Sequence, residues 1–152
     1  MPRKTIAGLV IAAAATLLFA ADPFSGFWRL DLAKSKLPPP LPRSQTSRID
    51  VEGDGIHIRE VIENDKGGQI TITVDARFDG RDYPIHGTPF ADTVAYERID
   101  AYTLKGTVKK AGRIIANEKI VVSPDGATMT SAYSGIDATG KVATATAVFE
   151  KQ

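Results

Sequence analysis

Cysteine is absent from the 152 residues of the chain, and this absence excludes several classes of protein. Disulfide bonds, thiolate metal ligands and cysteine nucleophiles all require that residue. Lipid attachment to an exported bacterial protein also requires a cysteine at the cleavage point. A small exported domain without disulfides must depend on its hydrophobic core, and 43% of the residues are apolar, which is adequate for that purpose.

Histidine and excess charge are also scarce. The sequence has two histidines, His57 and His86, whereas a metal site usually needs three or four converging ligands. His57 and Glu60 are three residues apart in a strand-like segment, so their side chains should point to opposite faces. The formal net charge is +1, which gives no basic surface for nucleic acid. We therefore expect no metal, no cofactor and no nucleic acid partner.

Recognisable catalytic motifs are missing as well. No serine stands in a Gly-x-Ser-x-Gly turn, and no glycine-rich phosphate loop precedes a helix. Acidic pairs such as Glu60 with Glu63 lie in or beside turns, where solvated charge is the usual explanation. The sequence predicts no catalytic residue, and an enzyme built around His86 is the least favoured interpretation.

The N-terminal segment has the layout of a secretory signal peptide. Arg3 and Lys4 precede an apolar and small-residue run from Ile6 to Ala21, which is shorter and richer in alanine than a membrane-spanning helix. We predict a signal peptide over residues 1–20, cleaved after Ala20. Residues 21–152 would then form one domain in the periplasm or outside the cell, with no integral membrane span.

The remainder of the chain reads as strands and tight turns. Apolar residues recur at every second position in "QITITVDARF" (residues 69–78), and Gly or Asp-Gly pairs separate the segments. A long meander usually closes, because open edges aggregate. We predict an all-β, antiparallel barrel of eight to ten strands, its core including Trp28, Leu30, Ile70, Ile72, Val74, Leu104 and Val148. The ten expected strands are 26–32, 45–53, 56–63, 69–78, 81–86, 92–99, 101–109, 113–122, 127–135 and 141–150.

One connection departs from the hairpin pattern. Residues 33–44, "AKSKLPPPLPRS", contain four prolines and cannot form a hairpin, so we expect an extended crossing over one end of the barrel. A docking site for an aromatic groove is the less favoured interpretation.

The sequence shows two resemblances to known proteins, and the first supports this architecture. The "FSGFWRL" segment, with Gly26 and Trp28, and the closing "ATATAVFEKQ" resemble the first and last strands of the calycins, the lipocalins and fatty-acid-binding proteins. That resemblance implies a meander barrel that holds a small ligand. The arginine and tyrosine with which fatty-acid-binding proteins grip a carboxylate are replaced here by Ala147 and Phe149. Through residues 22–36 and 79–94, essentially the whole mature chain also resembles a group of short secreted bacterial proteins that has no assigned function.

The stretch "FDGRDYPIHGTPFADT", residues 78–93, is the candidate rim of a ligand pocket. Its glycines and prolines are explained equally well by turns and a stiffened edge strand. The functional interpretation adds that Tyr83, His86 and Phe90 are aromatic or amphipathic groups held on a rigid backbone at a barrel mouth. The side chains expected to orient a ligand are Arg77, Tyr83, His86, Tyr96 and Arg98.

These patterns predict a lipocalin-like protein that binds a small, mainly apolar ligand without catalysis. Fold alone does not fix function. The alternative is a filled barrel that acts in the cell envelope as an interaction module, and the sequence leaves its protein partner open. A cavity of about 300 Å³ or more near residues 83–90 would favour ligand binding.

Overall fold

The chain forms a closed barrel of antiparallel strands. The computed structural model describes residues 20–136 and 139–152, and no helix occurs among them. The prediction of an all-β antiparallel barrel of eight to ten strands is confirmed. The strands are β1 (Gly26–Leu30), β2 (Ser44–Glu52), β3 (Gly55–Glu63), β4 (Gln69–Arg77), β5 (Tyr83–His86), β6 (Thr93–Asp100), β7 (Thr103–Lys110), β8 (Arg113–Val122), β9 (Thr128–Ile136) and β10 (Val142–Lys151).

The predicted signal peptide falls almost wholly on residues 1–19, which lie outside the described residues. Over the described part of the chain, the structure contains no helix with the length and apolar character needed to cross a membrane.

Every strand pairs with its neighbours in the chain, and β1 pairs with β10 to close the barrel. At the closure Trp28 stands opposite Lys151, and Leu30 stands opposite Phe149. The shortest strand is β5, which shares two paired positions with β4 and two with β6. Pro84 in β5 has no N–H to donate to a ladder, which is consistent with this short pairing. The Pro-rich segment joins β1 to β2, and its Lys36 forms an isolated bridge with Thr146 of β10.

One end of the barrel is filled by large apolar side chains. Phe24, Trp28 and Leu104 are completely buried there. The indole Nε1–H of Trp28 donates a hydrogen bond of 2.9 Å to the Phe24 carbonyl oxygen, which ties the N-terminal segment across this end. Arg98 forms a 2.7 Å ion pair with Asp22. We call this the closed end, and the connections after β1, β3, β5 and β7 lie at the other, open end.

The prediction of the core is confirmed in part. Trp28, Leu30, Val74 and Leu104 are buried. Ile70, however, is 40% exposed, because it is the second residue of β4 and lies at the open end. Alternation along a strand indicates which face a residue occupies, and it does not indicate how deep the residue lies.

The prediction for Val148 was wrong. This residue is half-buried, and the buried residues of β10 are its neighbours Ala147 and Phe149. Both faces of β10 carry small or apolar residues, so the period-two pattern is ambiguous in this strand. The larger Phe149 ring occupies the inner face, where it joins the core cluster.

Candidate ligand-binding site

The barrel interior contains a cavity of about 480 Å³ above the packed closed end. Inward positions of β2 to β6 form much of its wall, because residues two apart on a strand share one face. These positions are mostly isoleucine and valine. Representative apolar lining residues are Ile58, Ile62, Ile72, Ile85, Val94 and Val108.

The loop between β5 and β6 borders this cavity at the open end. Thr88, Phe90 and Ala91 are among the lining residues, and Phe90 is 76% exposed. Gly87 fixes the start of the loop, since its φ is +88° and a side chain there would overlap the Thr71 carbonyl oxygen. The backbone thus enters the loop against β4 in a conformation that favours glycine.

A row of three polar residues and one glycine crosses one wall of the cavity. Tyr96, Gly106, Glu118 and Tyr133 stand opposite one another on β6, β7, β8 and β9. Gly106 makes room for this row, because a Cβ atom there would lie 3.2 Å from both the Glu118 carboxylate and the Tyr96 ring. The Ser131 hydroxyl donates a hydrogen bond to Glu118.

A second acidic group lies on another part of the wall. Glu60 of β3 stands opposite Ser47 of β2, and both line the cavity. The Gln45 side-chain N–H donates a 2.5 Å hydrogen bond to the Glu60 carboxylate. The barrel surrounds Glu60, but its carboxyl group borders the cavity. The residue is therefore half-buried and not fully enclosed.

The interior position shifts the acidity of these groups. Burial raises the pKa of Glu60 to about 7, the hydrogen bond from Gln45 opposes the rise, and the charge of Glu118 adds to it. Burial likewise raises the pKa of Glu118, while hydrogen bonds from Ser131 and Tyr133 oppose that rise. Removal from water disfavours the charged form of a carboxyl group. The cavity therefore holds two acidic groups that gain from protonation or from a cationic partner.

Two hydroxyl groups face the cavity without an internal partner. Tyr96 is 5% exposed and Ser47 is 4% exposed, and neither side-chain hydroxyl makes a hydrogen bond to the described residues. Among those residues, every fully enclosed side-chain nitrogen or oxygen atom does have a partner. The hydroxyls of Tyr96 and Ser47 are thus open to the cavity and available to a ligand.

The structure brings two of the six predicted site residues to the cavity wall, Phe90 at the mouth and Tyr96 in the interior. Tyr83 packs against the core, and its hydroxyl donates a 2.8 Å hydrogen bond to Asp79. Arg98 lies at the closed end, where its guanidinium group stands 4.5 Å from the centre of the Phe78 ring.

Arg77 and His86 lie elsewhere on the barrel. Arg77 is exposed and forms a 3.4 Å ion pair with Asp54. His86 is exposed and stands opposite Thr73 on β4. Because Ile85 lines the cavity, the alternation of the strand turns His86 outward.

Sequence reasoning missed Glu60 and Glu118. The expectation that Glu60 is solvated beside a turn was wrong, since it lines the interior. The sequence signal that could have shown this is strand alternation. Glu60 lies on the same face of β3 as Ile56, Ile58 and Ile62. Glu118 likewise shares the phase of the buried Ile120 and Val122. The expectation that His57 and Glu60 face opposite sides is confirmed, as His57 is exposed and pairs with Asp75.

Comparisons of the chain with protein-family models and with curated proteins find no match. The closed ten-strand antiparallel barrel is compatible with a calycin-like fold. The resemblance to a group of short secreted bacterial proteins stays a prediction.

Proposed function

We propose that the protein binds a small, mainly apolar ligand inside a lipocalin-like barrel and does so without catalysis. The observation that carries this proposal is the cavity of about 480 Å³, which lies within the barrel and reaches the loop between β5 and β6. Cavities that hold small molecules are commonly about 300–1,000 Å³ and mostly apolar.

The driving force for binding would be the removal of apolar surface from water. Isoleucine and valine side chains on β3, β4, β5 and β6 supply a third of the lining residues, and each buried Å² of apolar surface contributes about 25 cal/mol. Phe90 and Ile70 provide exposed apolar surface around the mouth, so a ligand would meet apolar groups on the way in.

The proposal includes export of the protein to the periplasm or the medium. It rests on the charged start and the apolar run of residues 1–20, which are typical of a signal peptide. An intact-mass measurement of the protein from its native compartment tests it. A chain that begins at Ala21 is expected, and retention of residues 1–20 would contradict export by cleavage.

Binding in the cavity is tested with the uncharged fluorescent dye N-phenyl-1-naphthylamine and two matched variants. Ile72→Trp places a large ring in the cavity, whereas Thr73→Trp places the same ring on the opposite face of β4. We expect the dye to bind the wild type and Thr73→Trp alike, and to bind Ile72→Trp at least about tenfold more weakly, since overfilling removes the space.

Circular dichroism and cooperative unfolding establish that both variants are folded. Equal binding to all three proteins would place the dye on the surface. Absence of binding to the wild type, with a partner protein captured in its place, would favour the interaction module.

A further inference from the structure

We propose that the preferred ligand is an amphiphile with an apolar tail and a cationic head group, such as a protonated alkyl amine, held between Glu60 and Glu118. This inference rests on the proposed function, because it assigns a ligand class to the same cavity. The geometry behind it is a mostly apolar chamber in which two carboxyl groups are presented from separate strands, β3 and β8.

The charge of the cavity wall has one sign. Glu60 and Glu118 are its acidic groups, and none of the described residues that line it is lysine, arginine or histidine. A ligand carboxylate entering this chamber would meet two acidic groups and no compensating cation. An ammonium group would instead supply the positive charge that the buried carboxylates lack.

Neutral polar groups beside the carboxyls complete a binding site for such a head group. Tyr96 and Ser47 are largely buried residues whose hydroxyls open onto the same cavity and make no hydrogen bond to the described residues. Each hydroxyl oxygen has lone pairs that accept hydrogen bonds, and an ammonium group has up to three N–H donors. Both hydroxyls can therefore accept a hydrogen bond from an ammonium head group in the cavity.

The hydrogen-bond donors around Glu60 and Glu118 are neutral groups. Gln45 donates to Glu60, while Ser131 donates to Glu118, and neither donor is charged. Burial raises the pKa of both acids. A bound cation would oppose that rise and keep both groups ionised.

The resemblance to fatty-acid-binding proteins does not predict a carboxylate-binding pair in this chain. The positions that carry the carboxylate-binding pair in that family are Ala147 and Phe149 here, and both are buried on the inner face of β10. Neither side chain can donate a hydrogen bond to a carboxylate.

The test compares three ligands that share one ten-carbon chain, namely decylamine, decanol and decanoate. Each is titrated into the purified protein at pH 8 by calorimetry, below its micelle concentration. Decylamine is a cation at this pH and decanoate is an anion. We expect decylamine to bind at least about tenfold more tightly than decanoate, with decanol between them, because like charges brought together in a dry site repel strongly.

Three variants locate the preference. Glu60→Gln and Glu118→Gln keep the size of the side chain and remove its charge. Each should weaken decylamine binding by about tenfold while changing decanol binding by no more than about twofold. Glu97→Gln is the matched control, since Glu97 is an exposed residue of β6 paired with Lys105 outside the barrel. It should leave all three affinities unchanged.

The outcomes separate the two proposals. If decanol binds but decanoate equals or exceeds decylamine, the cationic-ligand inference is wrong and apolar binding stands. A decylamine preference that survives in both carboxyl variants would also overturn the inference. If none of the three ligands binds, the cationic-ligand inference is wrong, and the proposed function is wrong as well if the dye also fails to bind. The wild-type comparison decides the matter even if Glu118→Gln does not fold.

Discussion

At the scale of single residues, the Glu60 carboxyl group inside the barrel gains or loses a proton with the pH of the solution. Its carboxyl lies near Gln45 and Glu118, and Tyr96 and Tyr133 share the same cavity. Burial raises its pKa from 4.5 to about 7. The folded state therefore holds a proton on Glu60 at pH values where the unfolded chain has released it.

We predict that the free energy of unfolding is higher at pH 5 than at pH 8. Because the pKa of Glu60 is raised on folding, its stabilising proton is fully present below about pH 4.5 and is lost as the pH rises through about 7. The loss attributable to Glu60 is about 3 kcal/mol at most. Urea denaturation of the wild type and Glu60→Gln at the two pH values measures this loss. The difference in the free energy of unfolding between pH 5 and pH 8 should be smaller for the variant.

The same experiment on Glu97→Gln provides the control. That residue is exposed, with a 3.5 Å ion pair to Lys105, and its variant should keep the pH dependence of the wild type. Glu118 has a raised pKa as well, so part of the dependence should persist in Glu60→Gln. A wild type that is equally stable at both pH values would show that water reaches these carboxyls freely in the folded protein.

At the scale of strands, the sequence was sufficient to predict all ten elements. Glycine-containing turns separated segments whose alternation was clear, as in β4, where Val74 and Ala76 are buried and Asp75 is exposed. The phase of β10 could not be predicted, because alanine and threonine occupy either face equally well. The inner face of that strand depends on how the Phe149 ring packs against other strands, and single-strand periodicity contains no such information.

The sequence predicted only part of the wall of the candidate site, and it did not predict the acidic groups. The irregular stretch around Phe90 does border the cavity, because turns and prolines cluster where strands end. Glu60 and Glu118 were missed because acidic residues are rarely buried. Their burial depends on a cavity formed by distant strands, which local alternation does not reveal.

The corrected phase of β10 leads to a prediction for that strand. Phe149→Ala should lower the free energy of unfolding by about 3–5 kcal/mol, because it removes a buried ring from the core. Val148→Ala, on the half-buried outer face, should cost about 1 kcal/mol or less. Chemical denaturation of both variants measures the difference, and the reverse order would mean that Val148 occupies the inner face.

At the scale of the whole molecule, the two ends of the barrel differ in how they are packed. The closed end is filled by Phe24 and Trp28 and tied by the ion pair between Arg98 and Asp22. The open end exposes apolar residues such as Phe90 and Ile70 beside the cavity. Large buried side chains are therefore concentrated at the closed end, and exposed apolar residues lie at the open end.

Two phenylalanines test this division. Phe24 is completely buried and Phe90 is 76% exposed, so Phe24→Ala should cost about 3–5 kcal/mol and Phe90→Ala no more than about 0.5 kcal/mol. Trp28, the single tryptophan of the chain, lies against Phe24 and reports directly on the closed end. In Phe24→Ala alone, the fluorescence emission of Trp28 should shift to longer wavelength, and its ring should become accessible to quenching by acrylamide. Exposure of Trp28 in Phe90→Ala would instead mean that the two ends are coupled and that the closed end is not an independent support.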